Sequence, residues 1–221
     1  MRQRPETQPE INKFRRETLI EATIQMVAKH GIENTTFVKI SEAAGVSRGL
    51  PGHYFRDKDD LLCQAYQHLL DQHVAHTTGA ARAADGGAAD GLKAFARACL
   101  PSDGSTRHYR TAYLAFWTLS MGSKRMMKIT HDSYGLLYEA VAALFRDAAE
   151  ESRVKLDPRE ETVALIGMID GLWLDISIGA SGVTPKDAAG TISGHIDRIL
   201  RPRERTAARR PRTDAKSPTG A

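Results

Sequence analysis

Tyr109, Tyr113, Phe116 and Trp117 recur at spacings of three and four residues, so a helix would carry them on one face. Tyr134 and Tyr138 are four apart, and Asp170 and Trp173 are three apart. Aromatic faces with one carboxylate suit a quaternary ammonium. That cation has no N–H to donate, so only ring quadrupoles and a nearby negative charge can hold it. The competing reading is ordinary aromatic core, where such stripes commonly end up.

A second group of residues has another chemistry. Phe37, Ile40 and Ala44 keep helical spacing, and Gly45 stands where that spacing stops. Val46 follows as a turn residue, and Ser47 can cap a further helix over 48–55. Helix, tight turn and second helix make a helix-turn-helix, whose second helix enters the DNA major groove. Arg48 is the side chain on that face able to make a bidentate contact to guanine. Gly49 and Gly52 lower helicity there, by about 1 kcal/mol each relative to Ala. Pro51 removes one hydrogen bond near the helix start.

The 221 residues carry a formal net charge of +4, unevenly spread. Residues 1–56 sum to +3, 57–200 to −4 and 201–221 to +5. A basic end bearing a helix-turn-helix suits phosphate contact. Two cysteines, Cys63 and Cys99, make no disulfide framework and are expected as free, buried thiols. His68, His73 and His76 lack the acids or cysteines that would complete a metal site, so no metal is expected. No nucleophile–base motif, P-loop or dinucleotide fingerprint supports an enzyme, and no cofactor is expected. The polar N-terminus lacks a signal-like apolar run. Asp170 and Asp175 interrupt the most apolar stretch, 163–178, which argues against a membrane span.

The elements that must position these residues read as all-α. The expected divisions are a flexible basic arm (1–12), a three-helix DNA-binding head (13–56), a helical effector-binding and dimerisation body (57–200) and a disordered basic tail (201–221). Helix 13–30 would turn Phe14, Ile20, Ile24 and Val27 inward. Thr36 would cap the next helix. Asp57 would cap a long one running to about residue 84, with Leu61, Leu62, Ala65, Leu69, Gln72 and His76 inward. Helices are expected over 89–100, 106–121 and 124–152. Asp157-Pro158 and Thr184-Pro185 each read as a cap followed by proline at the first helical position, opening the last two helices.

The segment 36–62, with AAGVSRG…HYFRDKDDLL at its core, resembles the DNA-binding region of TetR-type bacterial repressors. AYLAFWTLSM (112–121) and IDGLWL (169–174) are similar to segments of the choline-responsive BetI repressors within that family. The resemblance covers roughly 13–200. It implies a cytoplasmic homodimer that binds a palindromic double-stranded operator and a small effector, choline or a related quaternary ammonium, and controls choline and glycine betaine genes. By resemblance Ser47, Arg48, Gly49 and Gly52 face the groove. His53, Tyr54 and Lys58 meet phosphates, and Thr36 donates at the backbone. Pro51 departs from the family pattern. The effector set is Tyr109, Tyr113, Phe116, Trp117, Tyr134, Tyr138, Asp170 and Trp173, and the last two helices form the dimer face. Two alternatives stand beside this reading. One is a drug-like or lipid-like effector; the other is a ligand-independent architectural DNA-binding protein.

Overall fold

The computed structural model describes residues 7–101 and 107–202. Its elements are α1 (Gln8–His30), α2 (Phe37–Ala44), α3 (Leu50–Tyr54), α4 (Lys58–Arg82), α5 (Ala88–Cys99), α6 (Arg107–Ser120), α7 (Lys124–Ser152), α8 (Pro158–Ile178) and α9 (Pro185–Ile199). Among the described residues there is no strand, and no helix is long and apolar enough to cross a membrane.

Local chemistry sets most helix ends. Thr36, Asp57, Ser123, Asp157 and Thr184 each accept a backbone N–H from the first turn of the helix that follows. Pro158 and Pro185 sit in first turns, where a missing N–H costs nothing. Gly45 ends α2 in the left-handed conformation at φ 66°, and the Val46 N–H then returns to the Ser41 carbonyl at 3.0 Å.

Several expectations need correction. The first helix begins at Gln8, inside the stretch read as a flexible arm, because Thr7 and Glu10 form a reciprocal capping box around Pro9. Residues 1–6, with Arg2 and Arg4, lie outside the described residues, as does 203–221, most of the basic tail. Phe14 is 41% exposed, since it lies on the overhanging N-terminal turns of α1, while Ile20, Ile24 and Val27 are buried. On α4, Gln72 and His76 are exposed. Tyr66, Leu70 and Thr77 fill the inward positions instead.

The buried residues form two clusters. One joins α1–α3 to the first half of α4 and takes in Ala112 and Phe116 of α6 and Met126 of α7. The other joins α5, α7, α8 and α9. Helix α6 therefore lends one face to the core of the N-terminal head.

Candidate functional site

The head presents α2, the turn 45–49 and the short α3. Ser47 does not cap α3; Gly49 is its N-cap and makes no side-chain bond. The helix runs only from Leu50 to Tyr54, not 48–55, and Pro51 is buried in its first turn. Proline tolerates that position, and the flanking glycines give the chain no reason to extend the helix backward. Arg48 consequently projects from the turn rather than from the helix. It is exposed and paired with Glu42 at 3.2 Å. Thr36, Ser47, Gly49, Gly52 and His53 are exposed alongside it.

Tyr54 and Lys58 are tied inward. The Tyr54 hydroxyl donates to Asn12 Oδ1 at 3.1 Å, and Lys58 Nζ donates to the Ile32 carbonyl at 2.8 Å. Phe55 is core, with the Arg16 guanidinium 5.1 Å from its ring centroid.

In the body, side chains of α4–α8 surround a cavity. Tyr113, Trp117, Tyr134, Asp170 and Trp173 line it together. The Tyr113 ring is tilted against Trp173 with centroids 5.3 Å apart and against Trp117 at 6.3 Å. Burial pushes the Asp170 carboxyl up to about 6, partly offset by a hydrogen bond from Tyr134. Burial also keeps the other titratable walls neutral. It holds His73 down at about 4, with His76 adding to the effect, and raises the Cys99 thiol and the Tyr113 and Tyr134 hydroxyls. At neutral pH the Asp170 carboxylate is the only charge among the described residues of this lining.

The other expected members fall elsewhere. Phe116 is fully buried and stacks on Tyr66 at 5.5 Å, because its side of α6 packs into the head core. Tyr138, one turn along from Tyr134, packs into the second core and does not line the cavity. Tyr109 lines a neighbouring, more open cavity, which shares His73, Cys99, Tyr113 and Trp173 with the first.

Sequence reasoning missed Phe95, Cys99, Leu137, Ile166 and Ile169 in the inner cavity, and Arg97 and Arg110 in the outer one. Ile166, Ile169 and Trp173 share the face of Asp170 on α8, so helical spacing could have found the two isoleucines. Nothing in the spacing of Arg97 and Arg110, on separate helices, brings them together.

The segment 88–201 matches the family described as "BetI-type transcriptional repressor, C-terminal". The segment 19–65 matches the bacterial regulatory proteins of the tetR family. The chain belongs to the BetI-type repressors of the TetR family. The HTH-type transcriptional regulator BetI of Burkholderia thailandensis is 30% identical over 87% of this chain and 97% of its own length. The BetI regulator of Paraburkholderia xenovorans is 29% identical over 88% and 97%. A Pseudomonas aeruginosa transcriptional regulator superposes with a TM-score of 0.75 at 28% identity, covering 85% of this chain and 91% of that one. A Saccharomonospora viridis regulator, crystallised in complex with choline, shares the fold at 21% identity and a TM-score of 0.75, over 84% and 96%. As a TetR-family member, this BetI-type chain is a DNA-binding transcriptional regulator with a small-molecule effector, and it is not an enzyme.

Proposed function

We propose that this repressor senses choline or a related quaternary ammonium compound in the inner cavity and thereby alters its grip on a palindromic operator. One observation carries the reading: Trp117, Trp173, Tyr113 and Tyr134 line a single cavity around the otherwise uncompensated charge of Asp170. A buried carboxylate without a counter-ion is costly, so a bound cation both satisfies it and gains ring contacts. The choline held by the Saccharomonospora viridis regulator points the same way.

Operator contact falls to Thr36, Ser47, Arg48, Gly49, Gly52 and His53 in this reading. Arg48 reads a base, and Tyr54 and Lys58 touch phosphates after leaving their inward partners. Pairing of two copies through α8 and α9 completes the unit. Val163, Leu174 and Ile178 expose an apolar stripe on α8, with open space beside Gly167 and Gly171. Titration of the purified protein with choline, followed by tryptophan emission and calorimetry, tests the sensor. Saturable binding to wild type, and its loss in Asp170→Asn, is the expected result. Absence of saturable binding would overturn it.

A further inference from the structure

The outer cavity opens from the aromatic cage, and its far wall has a different character. Arg97 on α5 and Arg110 on α6 both line it, beside Gln72 and His76 of α4. We propose that Arg97 and Arg110 form an anion site, so that the effector is a quaternary ammonium bearing a phosphate, sulfate or carboxylate group. Its cation occupies the cage and its anion lies between the two guanidinium groups. This rests on the cage reading above and extends it.

The placement of Arg110 is the first argument. It stands in the first turn of α6, where the positive end of the helix dipole disfavours a cation, and no acid stands in that turn. It forms no ion pair with any described residue. Helix physics gives no reason for a cation there. Arg97, in the last turn of α5, is favoured by the dipole but also lacks an ion pair among the described residues. Lys93, one turn earlier on the same helix, is held by Asp197 at 2.6 Å and Asp90 at 3.8 Å. The two arginines of the cavity are thus set apart from a neighbouring cation that is fully engaged.

The second argument is charge separation. Burial sets the Asp170 carboxyl, with only the Tyr134 hydrogen bond against it; no guanidinium contributes. The acidic inner end and the basic outer end therefore do not neutralise each other. They leave two cavities of opposite sign joined at His73, Cys99, Tyr113 and Trp173. Choline alone uses only the inner one. Guanidinium forks suit oxyanions geometrically, and such charge-assisted bonds are the strong ones.

Calorimetry on the full chain separates the possibilities. The probes are choline, choline phosphate, choline sulfate and carnitine, each titrated into wild type, Arg97→Gln, Arg110→Gln and the double variant. Both arginines reach solvent, and thermal melts confirm that the variants fold. The expected result is that wild type binds at least one anionic derivative about tenfold more tightly than choline. The double variant loses that gain while its choline affinity stays within about twofold. The preferred derivative identifies the anion. If choline binds as tightly as every derivative, or if the variants weaken choline as much as the derivatives, the anion site is wrong and the cage stands. If no probe binds wild type, the cage falls and the anion site falls with it.

Discussion

The Tyr109 hydroxyl, at the wall of the outer cavity, donates to the Glu21 carboxylate on α1 across 3.3 Å. Glu21 is also met by His68 at 3.1 Å and Gln72 at 3.3 Å, both on α4. One carboxylate thus joins the DNA-reading head to α4 and α6, two of the helices that line the cavities. Coupling requires that ligand bind two states unequally, and a change at this junction would be felt on both sides of it. Tyr109→Phe is expected to leave operator and choline affinity each within a few-fold of wild type. It should shrink the ratio of operator affinities measured with and without saturating choline. An unchanged ratio would remove Tyr109 from the coupling.

Asp170 should trade stability for binding. Its folded value of about 6 lies above the ordinary 3.8, so the native state holds more protons between those limits. Stability therefore falls as pH rises through that window, and the penalty persists above it. Asp170→Asn is expected to stabilise the empty protein by roughly 1–3 kcal/mol at neutral pH, a gain that fades below about pH 4. In wild type, choline affinity should fall as pH drops through about 6. The facing His73, Cys99, Tyr113 and Tyr134 stay neutral over pH 5–8 and do not mask the effect. Melts and titrations across pH 4–8 measure both. A flat binding profile would refute the role of the charge.

The two tryptophans make separable contributions. Each desolvated cation–π contact is worth about 2 kcal/mol, so Trp117→Ala and Trp173→Ala should each weaken choline roughly thirtyfold. Each variant also removes a ring contact with Tyr113, the closer one in Trp173→Ala, and should lower the melting temperature. Wild-type affinity in both variants would mean that these rings are only core.

At the DNA face, Glu42 restrains Arg48. Both side chains are well exposed, so the pair itself adds little stability. Glu42→Gln is expected to tighten operator binding by releasing the guanidinium and removing a negative charge from the interface. Arg48→Ala should cost about 1–3 kcal/mol and flatten preference at one operator position. Lys58→Ala should weaken all duplexes alike. Binding to an operator and to a random duplex distinguishes these outcomes, and equal losses on both for Arg48→Ala would refute base reading.

The exposed stripe on α8 should be the seam between two copies. Val163→Glu or Ile178→Glu places a charge where it would face its own symmetry mate. Light scattering is expected to show a shift toward monomer with helicity retained. An unchanged dimer would place the interface elsewhere.

Helix existence and most helix starts were legible in the linear chain, because a cap or a proline acts within a single turn. Asp57 and the pairs Asp157-Pro158 and Thr184-Pro185 need no partner beyond their own first turn. The head motif was legible for the same reason, since Gly45 and its neighbours make the turn alone. Spacing could also group Tyr113 with Trp117 and Asp170 with Trp173, as each pair lies on one helix. Rotation of a helix about its axis was not legible, because it depends on what the other helices offer. Tertiary packing turned Phe116 into the head core against Tyr66 and left Tyr113 and Trp117 at the cavity. It likewise set Tyr134 against Asp170 while Tyr138 went into the body core. The cavity around Asp170, the neighbouring one lined by Arg97 and Arg110, and the Glu21 junction each draw on three or more helices, so only the assembled bundle could decide them.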